Sequence, residues 1–172
     1  MKPLILMLVA FTAAGAALAE GPAATAALKD AQGKTAGTAT FTDSGGMVQM
    51  TLKATGLTPG KHGIHVHEAG KCEGSDFKSA GGHFNPHGKK HGSQNDAGAH
   101  AGDLRNLVAK DDGTATLQLP LHGVTLDKGE KNSLLDADGS ALVIHAKADD
   151  EKTDPAGNSG DRIACGVIVG SP

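Results

Sequence analysis

Nine histidines, at positions 62, 65, 67, 83, 87, 91, 100, 122 and 145, are the residues of this chain best suited to chemistry. His65 and His67 stand one residue apart in Gly63-Ile64-His65-Val66-His67, a run that otherwise reads as a strand. Side chains alternate faces along a strand, so the two imidazoles point the same way and Val66 points the other. Two imidazoles on one face make a metal-ligand pair, or two half-exposed surface histidines; the rest of the sequence decides between these readings. Further on, His83, His91 and His100 are followed by Asp103 in the spacing H-x7-H-x8-H-x2-D. Three imidazoles and a carboxylate complete a tetrahedral set for zinc that is closed to substrate, and closed sets are structural. Metal bound there would order its loop, because binding free energy becomes folding free energy. His65 and His67 join His145, at the end of Ala141-Leu142-Val143-Ile144-His145, in a second, nitrogen-rich group suited to Cu(II). Two metals fed by one set of histidines invite a shared ligand, and the spacing leaves open which histidine that is.

The elements that position these residues read as strands. Val48, Met50, Leu52 and Ala54 alternate with Gln49, Thr51, Lys53 and Thr55, and Ala115, Leu117 and Leu119 alternate with Thr114, Thr116 and Gln118. Turn signals separate the runs: Asp43-Ser44-Gly45-Gly46, Pro59-Gly60, Asp111-Asp112-Gly113 and Asp138-Gly139. The pattern predicts eight strands, near 24–29, 35–42, 47–55, 61–68, 104–110, 114–121, 140–147 and 164–169, and no long helix. That is an all-β, antiparallel sandwich or barrel. Residues 69–103 and 148–163 break the alternation. They are long and glycine-rich, and such loops in a compact domain are functional or disordered. With four Phe and neither Trp nor Tyr, the core falls to Val, Leu, Ile, Met and Ala.

The chain has 172 residues and a net charge of −3. Mild acidity and the lack of a basic stripe argue against a nucleic-acid partner. The opening MKPLILMLVAFTAAGAALAE has one lysine, an apolar run and an Ala17-Leu18-Ala19 cleavage signal, the pattern of a signal peptide. The run is shorter than the roughly 20 apolar residues that span a bilayer. The expected organisation is therefore a signal peptide over 1–19 and a single domain over 20–172, exported and free of the membrane after cleavage. The periplasm is the expected destination, with full secretion as the alternative. The two cysteines, Cys72 and Cys165, are expected to form a disulfide in such an oxidising compartment.

Taken together, Gly63-Ile64-His65-Val66-His67-Glu68, Gly81-Gly82-His83-Phe84-Asn85-Pro86, Gly102-Asp103-Leu104, Val143-Ile144-His145-Ala146-Lys147-Ala148-Asp149-Asp150 and Gly157-Asn158-Ser159-Gly160-Asp161-Arg162-Ile163-Ala164-Cys165-Gly166-Val167 resemble the copper/zinc superoxide dismutases. The resemblance runs from about Ala36 to Val169. It implies an eight-stranded, immunoglobulin-like Greek-key fold, and dismutation of superoxide to dioxygen and hydrogen peroxide by alternate reduction and reoxidation of copper. It places copper on His65, His67, His83 and His145, and zinc on His83, His91, His100 and Asp103, with His83 as the catalytic bridge. It pairs Cys72 with Cys165, makes Asp149 the carboxylate that links a copper ligand to a zinc ligand, and makes Arg162 the cation that docks the superoxide anion. His62, His87 and His122 match no ligand position and read as surface or structural, and Glu151 and Lys152 read as solvated loop residues.

The segment between Cys72 and His83 is longer than in cytosolic eukaryotic members and resembles bacterial exported ones, whose dimer surface differs or is absent. Ala156 replaces a channel-lining threonine of many relatives. A homodimer is the expected assembly, with a monomer as the alternative. The rival function is an exported copper/zinc-binding or buffering protein without turnover; Arg162, which a buffer does not need, favours the enzyme. A metal-free interaction module, like the dismutase-like domain of a copper chaperone, need not keep every ligand, as this chain does.

Overall fold

The computed structural model describes residues 23–171; the expected signal peptide lies outside them. Nine strands occur among the described residues: β1 (Ala23–Asp30), β2 (Thr35–Asp43), β3 (Val48–Ala54), β4 (Gly60–His62), β5 (Ile64–His67), β6 (Leu107–Ala109), β7 (Ala115–Leu121), β8 (Ser140–His145) and β9 (Arg162–Gly170). A seven-stranded antiparallel sheet runs in the order β5-β8-β9-β1-β2-β3-β7, and β4 pairs with β6 in a second, two-stranded sheet. The crossings from β3 to β4 and β5, and from β7 to β8, make the topology a Greek key. All-β architecture, antiparallel pairing and Greek-key connection agree with the sequence reading.

The strand expected over 61–68 is two strands. Its halves pair with different partners: Lys61 lies opposite Val108 of β6, whereas Val66 lies opposite Leu142 of β8. Gly63 is the point of exchange. Its N–H donates to the Lys147 carbonyl at 2.7 Å, and its carbonyl accepts from the His145 N–H at 2.8 Å. A Cβ at Gly63 would stand 2.8 Å from Ser159 Cβ and 3.3 Å from Asp149 Cβ, so only glycine lets the loop backbone pack this close. The strand expected over 104–110 shrinks to β6, and 122–139 is a third irregular segment, in which Val124, Leu126 and Leu134 fill one end of the core.

The alternation read from sequence is the burial observed. Val48, Met50, Leu52 and Ala54 of β3 are buried and stand opposite the buried Leu121, Leu119, Leu117 and Ala115 of β7. Each fully buried aliphatic side chain contributes about 1.5–3 kcal/mol. In β8 every residue is buried, because its outer face is also covered. There Phe77, Ala80, Ala141, Val143 and Cys165 form a small second core against which Cys72 packs. The Cys72–Cys165 disulfide, with Cα atoms 5.7 Å apart, joins the first long loop to β9. On the chain-entropy account, a closed loop spanning a sequence separation of 93 is worth about 4–5 kcal/mol.

Candidate metal centre

β5 carries Ile64 and Val66 into the core and turns His65 and His67 to the opposite face, as its period of two requires. Two pieces of the first long loop bind back onto β5: His67 forms a bridge with His83, and His65 one with Asp103. The Phe84 N–H donates to the Val66 carbonyl at 2.8 Å, and the Val66 N–H donates to the Gly102 carbonyl at 2.9 Å. These backbone bonds bring residues far apart in sequence to one strand. From the far side, β8 ends at His145.

His65, His67, His83 and His145 are at most 7% exposed, and one ligand atom from each lies within 4.8 Å of the others. In every ring one nitrogen is engaged. His65 Nε2 stands 2.7 Å from Asp149 Oδ2, His67 Nδ1 3.0 Å from the Gly81 carbonyl, His83 Nδ1 2.8 Å from Asp103 Oδ1, and His145 Nδ1 3.2 Å from the Gly160 carbonyl. The remaining nitrogens, His65 Nδ1 and Nε2 of His67, His83 and His145, are buried without a hydrogen-bond partner. Buried polar atoms are rarely left so; four that converge could hold a cation. Burial, with repulsion between the rings, pushes His67 down to about 2, His145 to about 3 and His83 to about 4. The rings of His67, His83 and His145 are therefore neutral near pH 7, the state in which imidazole ligates.

His83, His91, His100 and Asp103 form the second set. The Nδ1 atoms of the three rings lie 2.8, 3.1 and 3.1 Å from the same oxygen, Asp103 Oδ1. The second oxygen, Oδ2, accepts the N–H groups of Gly92 at 2.8 Å and His100 at 3.0 Å. Burial alone would raise the Asp103 carboxyl, but the bonds from His83 and Gly92 outweigh it and hold it well below the usual carboxylate range. His91 faces carboxylates at both nitrogens, Asp103 at Nδ1 and Asp149 at Nε2. A neutral imidazole carries one N–H and cannot donate to both; with Nδ1 given to a cation, Nε2–H donates to Asp149. Three imidazoles and one carboxylate suit zinc, and four imidazole nitrogens suit copper. The residues present fit both ions, with His83 offering Nε2 to one set and Nδ1 to the other.

Asp149 spans the two sets, accepting from His65 at Oδ2 and, at 3.0 Å, from His91 at Oδ1. Its carboxyl also stays below the usual range, the hydrogen bonds outweighing burial. Asn106 clamps its backbone, donating from Nδ2 to the Asp149 carbonyl at 2.9 Å and accepting the Asp149 N–H at 2.7 Å. A Cβ on Gly157, whose φ is +60°, would collide with the Asp149 carboxylate. Arg162 lies opposite His145 across β8 and β9. Its guanidinium donates to the Phe77 and Gly81 carbonyls, each at 2.7 Å, and the Gly81 carbonyl is also the partner of His67 Nδ1.

Every ligand position expected from the sequence is thus gathered in one place. His62, left as surface or structural, is structural: it is 1% exposed, with Nδ1 2.7 Å from the His145 carbonyl and Nε2 2.8 Å from the Thr58 carbonyl. His87, His122 and Lys152 are exposed. Glu151 is not a free solvated residue: it accepts the Ser93 hydroxyl at 3.0 Å and Asn106 Nδ2 at 3.3 Å, stitching the two long loops together. Ala156 uses its carbonyl to accept from the Ser159 hydroxyl at 2.8 Å. Asn106 and Phe77 were not legible as site residues; the only signal for Asn106 is its place three residues after Asp103.

The sequence profile of the family described as "Copper/zinc superoxide dismutase (SODC)" matches residues 35–168. The chain belongs to the copper/zinc superoxide dismutases. It is 50% identical over 144 residues to "Superoxide dismutase [Cu-Zn] 2" of Aquifex aeolicus, covering 83% of this chain and 84% of that one. It is 46% identical over 147 residues to the "Superoxide dismutase [Cu-Zn]" of Caulobacter vibrioides, covering 84% of each. The crystal structure of a SOD-like protein from Bacillus subtilis superposes with a TM-score of 0.81 at 41% identity, covering 84% of this chain and 97% of that one. The protein is an enzyme that uses copper and zinc to dismutate superoxide to dioxygen and hydrogen peroxide.

Proposed function

We propose that His65, His67, His83 and His145 hold the copper of this dismutase and that His83, His91, His100 and Asp103 hold its zinc. The observation that carries the assignment is the four buried nitrogens without a partner, each on a ring whose other nitrogen is already engaged. When bound, copper supplies alternate one-electron reduction and oxidation, and zinc a fixed positive charge without redox of its own. The residues do the rest. Arg162, cationic at all working pH values, docks the superoxide anion beside His67 and His145. His83 holds a proton at Nε2 in one half of the cycle and gives it up in the other, while Nδ1 keeps its place in the zinc set. Asp149 fixes the rings of His65 and His91 in the tautomer that leaves Nδ1 free in each, a service that is general for ligating imidazoles. Over the full cycle two superoxide ions and two protons give dioxygen and hydrogen peroxide.

The assignment predicts how the two metals separate. His145→Ala is expected to lower bound copper by about 10-fold or more at limiting metal while leaving zinc near one per chain, and Asp103→Ala to do the reverse. Elemental analysis after dialysis against limiting metal checks both. Loss of both metals in equal measure from each variant would contradict separate sets.

The mature enzyme comprises residues 20–172 and works in the periplasm. The Ala17-Leu18-Ala19 signal and the Cys72–Cys165 disulfide, a bond that persists in oxidising compartments, support this reading.

A further inference from the structure

Phe77 combines three features that the assignment above leaves unused. It lies in the longer segment between Cys72 and His83, it is 4% exposed, and its backbone is left-handed, with φ 51° and ψ 25°. A bulky residue rarely adopts that conformation, which persists where the surroundings over-determine it. Here they do. The residue packs with Ala80 on Ala141, Val143 and Cys165 of the outer sheet face, and Cys72 closes the cluster beside it. Val143 and Cys165 are direct neighbours across β8 and β9, so this small core rests on the two strands that present His145 and Arg162.

The backbone of Phe77 points elsewhere than its ring. Its carbonyl accepts from an Arg162 guanidinium nitrogen at 2.7 Å and from the Ala80 N–H at 3.2 Å. The other guanidinium nitrogen reaches the Gly81 carbonyl, which is separately tied to His67. One carbonyl therefore relates Arg162 to a metal ligand, and the other relates it to an apolar plug held by a disulfide. With both in place the planar guanidinium has no free rotation; with one lost it pivots about the other.

We propose that Phe77 is the positioning residue for Arg162: its ring, seated on the disulfide cluster, holds its carbonyl where it fixes the guanidinium toward the substrate. The proposal rests on the anion-docking role given to Arg162. It assigns the extra loop residues a task in turnover, and it connects the disulfide to the rate through one side chain.

The test is a double-mutant cycle on the copper- and zinc-loaded chain, with metal content measured for every variant. Two quantities are read: kcat/KM for superoxide, and azide affinity from the shift of the copper visible band. Arg162→Ala is expected to lower kcat/KM roughly tenfold or more. Phe77→Ala is expected to lower it by several-fold, up to about tenfold, and to weaken azide binding in proportion, with both metals retained. Phe77→Leu, which keeps an apolar plug, should restore most of both. Phe77→Ala added to Arg162→Ala should change nothing further. Phe77→Gly relieves the left-handed backbone and runs the same cycle should the alanine variant not fold.

An unaltered rate and azide affinity in Phe77→Ala, beside a slow Arg162→Ala, would overturn the positioning role and leave the docking role standing. An equal loss from Phe77→Ala with or without Arg162 would also overturn it, because the effect would not pass through the arginine. A full rate in Arg162→Ala would overturn the docking role itself, and this inference with it.

Discussion

Replacing Arg162 with glutamate is expected to leave copper and zinc in the chain and to lower superoxide turnover roughly a hundredfold. Arg162 ligates no metal in the arrangement described, and its two carbonyl bonds to Phe77 and Gly81 hold its charge beside His67 and His145. The substrate is a small anion, so its encounter rate follows the local field; steering of this kind changes association by about 10–1,000-fold. Glutamate reverses the sign at the point of docking. The sign also fixes a second observable. Added salt screens attraction in the native enzyme and slows it, whereas in Arg162→Glu it screens repulsion and speeds it. Rates measured at several ionic strengths, with metal content on the same samples, check both parts. A variant within twofold of the native rate would remove the role given to Arg162.

Withdrawal of both metals is expected to lower the melting temperature by roughly 10 °C or more and to make the folded chain sensitive to mild acid. Part of this is mass action, since an ion bound only by the folded state stabilises it. The other part is the four buried nitrogens that are then unpartnered. The pH dependence follows from the depressed rings. In the unfolded chain a histidine takes up its proton near pH 6.5. In the metal-free folded chain burial holds His83 at about 4, His145 at about 3 and His67 at about 2. Between about 6.5 and 4 the unfolded chain therefore binds more protons than the folded one, and stability falls as pH falls. The decline slackens only as the rings protonate in turn below about 4. Asp103 and Asp149, both depressed, contribute stability that is present above the ordinary carboxyl value and lost below it, which is the same direction. Melting curves of metal-free and metal-loaded protein from pH 7.5 to 4.5 are the check. A metal-free melting temperature that does not move over that interval would contradict the placement of these rings.

Much of this was legible in the residues, and the reason is periodicity. Val48 to Ala54 and Ala115 to Leu121 declare their buried faces by alternation alone, and His65 and His67 share a face for the same reason. The grouping of His83, His91, His100 and Asp103, and of His65 and His67 with His145, could be read from residue type and spacing; that His83 belongs to both groups came from the family resemblance, not from spacing. What was not legible depends on partners distant in sequence. Lys61 to Glu68 reads as one strand, and nothing local says that β4 pairs with β6 while β5 pairs with β8; the exchange at Gly63 is set by Lys147 and His145. Glu151 reads as a solvated carboxylate until Ser93 and Asn106 are found beside it. Asn106 acts on the backbone of a residue 43 positions away, and Phe77 on a side chain 85 positions away, contacts that leave no period in the sequence. Which nitrogen of each ring is free is likewise a property of the partners, Asp149, Gly81, Asp103 and Gly160, rather than of the histidines.

The central claim is that one histidine serves two metals in a working dismutase. It is tested most directly by superoxide turnover of the purified mature chain, with copper and zinc measured on the same sample and on His83→Gln. The account predicts fast, cyanide-sensitive turnover at one copper and one zinc per native chain, and loss of both activity and full occupancy of each metal in the variant. Stoichiometric metal without turnover in the native chain, or a variant that keeps both metals at full occupancy and the native rate, would contradict it.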